Sequence, residues 1–319
     1  MQLVYLLWMA LSCAVLVKSA DLLVKGLVKI AEYFRMTEFG IGFIVVALAT
    51  SVPELFVGIT SALEGKPSIA LGNVIGANIL DLTIVIGIAA LLSRGIKVES
   101  PSIRMDTLYT FFITLLPLIL MADKEISRMD GCILLIVFAF YMLNLFRQES
   151  RFRERLDSVS HRVFVRNLFV VLFALVLLFF SAKYVVKYAS LVAEDLNIPP
   201  ILVGLVLISL GTTLPELTFE SRAVMRKHGY MALGDLLGSV AVNTTLVLGV
   251  TALISPIHAD FLLFTTSAVF LVVVGFIFMT FVESEKFISW QEGVALILLY
   301  VLFLVVEMNI RILEVSQAV

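Results

Sequence analysis

Cysteine and histidine are scarce, two and three residues in 319, and charged residues make up only 15% of the chain. Two cysteines cannot build a disulfide framework or a thiolate zinc site. Cys13 and Cys132 both fall in apolar runs, where packing is their ordinary use. None of His161, His228 and His258 lies in the motif-bearing stretches described below, which argues against a soft-metal centre. So few charges cannot clothe a water-soluble domain. What is present instead is apolar: 61% of the residues are hydrophobic, so the chain reads as one that lives in a bilayer.

A helix needs about 20 mostly apolar residues to cross a hydrocarbon core of about 30 Å. Ten such stretches are expected, near 2–20, 38–63, 69–92, 105–122, 130–146, 167–190, 200–221, 231–254, 261–282 and 289–312. The first lacks a basic leader, and Lys18 and Asp21 interrupt the place of a cleavage site, so it reads as a retained helix. With the segment from Arg147 to Arg166 in the cytoplasm, about 16 of the 23 basic residues share its side. Among them are Lys25, Arg35, Arg94, Arg151, Arg155, Arg222 and Lys227. About 6, such as Lys66, Lys124 and Lys183, fall on the other side, with Lys18 unassigned. That bias predicts outside N- and C-termini and a cell-membrane location. The Arg-rich 147–166 stretch reads as a cytoplasmic linker between two halves, 1–146 and 167–319.

The second half lies on the first at one offset of 162 residues. Ser19-Ala20 falls on Ser181-Ala182, Gly42 on Gly204, Thr50 on Thr212, Pro53-Glu54 on Pro215-Glu216, and Gly76 on Gly238. With five spans per half, an odd number, the second copy enters the membrane from the opposite side. The fold class is therefore an all-α membrane protein of ten transmembrane helices in two inverted five-helix repeats. The repeat alone leaves transporter and channel both open.

The best-matched stretches are Ala47-Leu-Ala-Thr-Ser-Val-Pro-Glu54 and Ser209-Leu-Gly-Thr-Thr-Leu-Pro-Glu216, each in mid-span. A proline inside a helix removes one N–H and displaces the carbonyl four residues earlier, here those of Ala49 and Gly211. Irregular backbone at membrane depth is tolerated only in protein or around a polar cavity, so two broken helices suggest an ion site. The next span of each half adds Asn73, Gly76, Asn78 and Asp81, then Asp235, Gly238, Ser239 and Asn243. Positions 73, 76, 77 and 81 share one helical face, as do 235, 238, 239 and 243. The glycines there are explained by close helix packing; the carboxylates are not.

A carboxylate near the bilayer centre costs at least about 2.5 kcal/mol. No Lys or Arg occurs within 36–63, 68–93, 198–221 or 231–254, so unless a distant helix brings a basic partner, bound protons or cations are left to neutralise Glu54, Asp81 and Glu216. Hard oxygen ligands suit Ca2+, Na+ or H+, and a flexible cage of about six to eight oxygens suits Ca2+ better than Mg2+. Glu220 matches Gly58 and either sits toward the cytoplasmic mouth or touches the ion path. Asp235 matches Asn73 and either favours a helix start or touches the ion path. Glu307 is expected near an interface. A channel would conduct without exchange, and an aspartyl protease would need two aspartates, whereas Asp81 has only Asn243 as its mate.

These residues resemble the two alpha-repeats of the cation/Ca2+ exchanger superfamily, here 42–92 and 204–254. The Thr-Ser-Val-Pro-Glu and Thr-Thr-Leu-Pro-Glu motifs are most similar to its sodium/calcium exchanger branch. The resemblance implies a site among spans 2, 3, 7 and 8, with the first and sixth helices sliding across the rest. It implies Glu54 and Glu216 as shared Ca2+ ligands, and Thr50, Ser51, Thr212, Thr213 and Ser239 as oxygen donors to flanking Na+ sites. Asp81 and Asn243 would complete the centre, and Ala47, Ser209 and Asn78 join the candidate ligand set. Three departures stand out from the prokaryotic pattern. Ala77 stands where a Ser is usual, Asp81 and Asn243 look exchanged, and Val240 replaces the mate of Asn78. The expectation is a Ca2+/Na+ antiporter, with a Ca2+/H+ exchanger as the alternative. It is not an enzyme and has no cofactor. Its partners are the transported ions and the lipid bilayer, with no nucleic acid, and it acts as a monomer. The large regulatory insert of animal exchangers is lacking, so Ca2+-sensing regulation is not expected.

Overall fold

A computed structural model describes residues 2–36, 41–98, 101–149, 160–196, 200–258, 261–284 and 287–317. The described chain is almost wholly helical. In order, the helices are α1 (Gln2–Tyr33), α2 (Ile41–Leu63), α3 (Ser68–Ser93), α4 (Pro101–Leu120), α5 (Arg128–Glu149) and α6 (His161–Leu196). There follow α7, α8 (Gly229–Ile254), α9 (Phe261–Ser284) and α10 (Trp290–Gln317). Helix α7 is a bent pair, Val203–Thr212 and Leu214–Met225, whose two pieces meet at 42°. Among the described residues nine helices are long and apolar enough to span a membrane, and α7 makes the tenth if its pieces form one span.

Two short ribbons settle that condition. Strand β1 (Ile96–Lys97), after α3, pairs antiparallel with β4 (Phe287–Ile288), after α9. Strand β2 (Glu125–Ile126), after α4, pairs with β3 (Ile257–His258), after α8. Paired strands lie on one side of a membrane, so an even number of crossings must separate each pair. That holds only if α7 crosses once. The architecture is two inverted repeats of five helices, and the ribbons, each joining one repeat to the other, are themselves repeat mates.

The repeats interleave. The glycines show how: a Cβ added to Gly76 on α3 would lie 2.1 Å from the Leu205 carbonyl of α7, and one on its mate Gly238 of α8 would lie 2.4 Å from Ala47 of α2. Helices α2 on α8 and α3 on α7 therefore touch backbone to backbone, and the mid-membrane groups of both repeats converge. Helix α1 packs along α6 on one flank, with Ala20 and its mate Ala182 fully buried in the seam. Their outer faces are apolar and exposed, as at Leu7 and Phe169, which suits lipid.

Several span limits differ from expectation. Helix α1 continues to Tyr33 instead of ending near residue 20, because its charges pair along the helix, Lys25 with Asp21 (2.5 Å) and Lys29 with Glu32 (2.7 Å). The segment expected as a linker is helical at both ends, through Glu149 and again from His161. Arg151 and Arg155 lie outside the described residues. Glu307 is buried against α9, where it accepts a hydrogen bond from Ser267 Oγ (3.3 Å).

Candidate functional site

The Pro-Glu motifs start new helices. Helix α2 breaks at Ser51 and resumes at Val52; α7 breaks at Thr213 and resumes at Leu214. Pro53 and Pro215 thereby occupy the first turn of a half-helix, where the missing N–H has no cost. The Ser51 N–H is directed at the Ala47 and Ala49 carbonyls, and that of Thr213 at Ser209. Ser51-Val-Pro-Glu54 and Thr213-Leu-Pro-Glu216 have the spacing of capping boxes, in which the hydroxyl and the carboxylate would satisfy each other's backbone N–H groups. Neither Ser51 nor Thr213 makes a side-chain cap. Their hydroxyls and all four carboxylate oxygens of Glu54 and Glu216 are buried without a hydrogen-bond partner.

A second irregularity was not legible in the sequence. Residues Ile41–Val46, Asp81–Val85, Val203–Ile208 and Asn243–Val247 wind as π-helix, two segments per repeat, and the second pair is the first shifted by the 162-residue repeat. A π turn is wider than an α turn and loosens the ladder that engages the carbonyls. Asp81 and Asn243 each open one. The available signal was Thr83 and its mate Thr245, whose hydroxyls bond the carbonyls of Ile79 and Ala241 four residues back, competing with the helix ladder.

All twelve candidate residues named above are at most 4% exposed. Hydrogen bonds connect some of them across helices. Thr50 Oγ1 donates to Asp235 Oδ1 (3.1 Å) and lies 3.0 Å from Ser239 Oγ, joining α2 to α8. At the mirror position Thr212 Oγ1 donates to Asn73 Oδ1 (3.2 Å), joining α7 to α3. The Thr212 hydroxyl also flanks Glu54, outside hydrogen-bonding geometry. Asn243 Nδ2 donates to Asn78 Oδ1 (3.3 Å) and Asn78 Nδ2 to Thr244 Oγ1 (2.9 Å). Ser209 donates its hydroxyl to the Leu205 carbonyl (2.5 Å). Ala47 contributes its carbonyl, toward which Thr50 Oγ1 points at 3.4 Å.

Two acids were left open by the sequence. Asp235 is fully buried, six residues into α8, and its bonds to Thr50 and Ser239 place it in this cluster and not at a helix start. Glu220 is also fully buried, with neither oxygen partnered. Asn73 and Thr244, absent from the sequence-derived ligand set, complete the hydrogen bonds.

The electrostatics follow from this enclosure. Glu216 feels the charges of Glu54, Asp81 and Asp235, and Glu220 those of Asp235 and Asp81. No described ion pair involves any of the five: the pairs lie at the periphery, such as Lys66–Glu194 and Arg104–Glu283. Buried acids without basic partners require protons or cations. Among the described residues no three Asp, Glu, His or Cys side chains group into a metal centre by themselves. An oxygen shell here therefore has to combine carboxylates with hydroxyls, amides and carbonyls, which is hard-cation chemistry.

Comparison with known proteins agrees with that chemistry. Residues 4–147 and 166–309 match the family described as sodium/calcium exchanger protein. The sodium/calcium exchanger MaX1 of Methanosarcina acetivorans is 29% identical, over 91% of this chain and 95% of its own. The inner membrane protein YrbG of Escherichia coli is 29% identical, over 82% and 83%. The sodium-calcium exchanger NCX_Mj, solved after soaking with 10 mM Na+ and 10 mM Sr2+, superposes with a TM-score of 0.71 at 25% identity, covering 96% of this chain and 99% of that one. With both repeats matched and the same fold, the chain belongs to the sodium/calcium exchanger protein family and is a membrane antiporter of Ca2+ against another cation.

Proposed function

We propose that the counter-ion is Na+ and that exchange proceeds by alternating access, with Glu54 and Glu216 as the shared Ca2+ ligands. The observation that carries this reading is the pair of capping-box sequences that do not cap. Ser51 with Glu54, and Thr213 with Glu216, keep hydroxyl and carboxylate oxygens buried and unpartnered. The repeat mates Asp81 and Asn243 add three more such oxygens, both on Asp81 and Oδ1 on Asn243. Three repeat-related pairs thus offer oxygens to one cation. Thr50, Ser239 and Asp235 form a compact hydroxyl-carboxylate group suited to Na+, and Thr212 with Asn73 forms the neutral counterpart. Helices α1 and α6, packed chiefly on each other, act as the moving pair. The N- and C-termini face outside, on the charge bias of the loops, and one chain suffices because its own helices enclose the site.

A proton-coupled reading has one specific observation in its favour. Ala77 is buried at the position that mirrors Ser239 and carries no hydroxyl, while Asp81, Glu220 and Asp235 exceed what a divalent ion on Glu54 and Glu216 would neutralise. Ca2+ uptake into proteoliposomes, at clamped potential, separates the two. An outward Na+ gradient should drive uptake and an outward H+ gradient should not. Uptake under H+ alone would replace Na+ by H+, and no uptake under either would remove the exchange reading.

A further inference from the structure

A cavity of about 700 Å3 lies away from the ion site, where the end of α3, strand β1, the α7–α8 turn and β4 meet. Among the described residues its lining includes Arg94, Lys97 and Lys227 and no acid. Crossing parity places it on the membrane face that also holds the end of α5 and the start of α6. Basic residues on that face have an ordinary explanation as a topology signal. Three features go beyond it.

The first is backbone conformation. Arg94 (φ +58°) and Lys227 (φ +65°) are both left-handed, a conformation that side-chain-bearing residues rarely adopt. The repeat mate of Lys227 is Gly65, with φ +71°, so the same turn is made by glycine in the other repeat. The second is asymmetry. The repeat mates of Arg94, Lys97 and Lys227 are Pro256, Ala259 and Gly65, all uncharged, so duplication left the basic set on one membrane face only. The third is the absence of local neutralisation: neither Arg94 nor Lys227 forms an ion pair among the described residues. Both also sit at helix C-terminal ends, which favour a cation. That explains why the charges are tolerated and not why they converge on a concavity.

We propose that this cavity binds a phosphate-bearing anion at the membrane surface, with Arg94 and Lys227 as its principal contacts and Lys97 on the ribbon completing the lining. A phosphate monoester carries a charge of about −1.5 to −2 and strong acceptor oxygens, which suits two cations that line one concavity without an ion pair among the described residues. Such an anion would tie α3, α7 and the β1·β4 ribbon together at their ends.

The experiment uses the purified full chain in detergent and follows its melting temperature. It is titrated with short-chain phosphatidic acid, with phosphatidylcholine of equal chain length, and with inorganic phosphate. The same titrations are run on R94Q and K227G. Phosphatidic acid should raise the melting temperature and phosphatidylcholine should not, and each variant should weaken the apparent affinity about five-fold. Without anion, K227G should melt at or above the wild type, since glycine suits the left-handed turn. An equal response to inorganic phosphate would assign a soluble source, and a response to the lipid alone a headgroup. No response to either phosphate, or variants that bind as the wild type does, would overturn the proposal.

Discussion

The two flanks of the ion site share one geometry and differ in charge. On the α2–α8 flank, Thr50 bonds Asp235 at 3.1 Å with Ser239 alongside; on the α3–α7 flank, Thr212 bonds Asn73 at 3.2 Å with Ala77 in the place of Ser239. Position for position the threonine is kept, the acid becomes an amide and the serine becomes an alanine. Duplication preserved the scaffold and released the chemistry. One flank carries an acid beside its threonine where the other carries an amide, so the two sides of the pseudo-symmetric site are unequal in charge.

The comparison breaks most severely if the symmetric centre is altered. Glu54→Gln and Glu216→Gln should each abolish Ca2+ transport in proteoliposomes with the fold intact. Removing one partner of a buried charged pair costs about 3–5 kcal/mol, a factor above about 100. Normal transport by either variant would remove both from the site. Next in size, Asp81→Asn should reduce Ca2+ affinity more than Asn243→Ala does, by about tenfold or more, since only the first removes a charge. The reverse order in a Ca2+-binding isotherm would show that the carboxylate at position 81 is not a ligand.

The scaffold itself can be tested on both flanks at once. Gly76→Ala and Gly238→Ala put a Cβ 2.1 Å from the Leu205 carbonyl and 2.4 Å from Ala47 Cβ. Each should cost about 1–3 kcal/mol in thermal or denaturant unfolding, and the two losses should be similar. Unequal losses would mean that the flanks differ in packing as well as in charge. Asp235→Asn makes the charged flank resemble its mate and should raise the Na+ concentration that half-inhibits Ca2+ uptake by about tenfold. The smallest effect is expected from Ala77→Ser. It restores one hydroxyl and should lower that concentration by no more than about fivefold, the worth of one hydrogen bond. Insensitivity of Na+ inhibition to both changes would place Na+ elsewhere.

Glu54 and Glu216 were legible because each combines a mid-span carboxylate, an adjacent proline and a repeat mate, three signals that ordinary packing does not produce together. Asp235 was ambiguous, since an acid near the expected start of its span suits a helix N-terminus as well as an ion path; its bond to Thr50, 185 positions away in sequence, puts it in the buried polar cluster. The prolines misled slightly. Read alone they mark a kink, whereas with Ser51 and Thr213 ahead of them they open a new half-helix. The length of α1 was missed because apolarity stops near residue 20 while the helix runs on through paired charges.

By itself, then, the sequence determined the bilayer as solvent, the inverted repeat and the set of acids that no nearby cation neutralises. These follow from composition, spacing and the cost of charge in hydrocarbon, which are local properties. Tertiary structure decided which of those acids meet, where the helices widen into π turns, and that the capping boxes do not close. Those depend on how closely helices of opposite repeats approach, and that distance is set by contacts between residues more than a hundred positions apart.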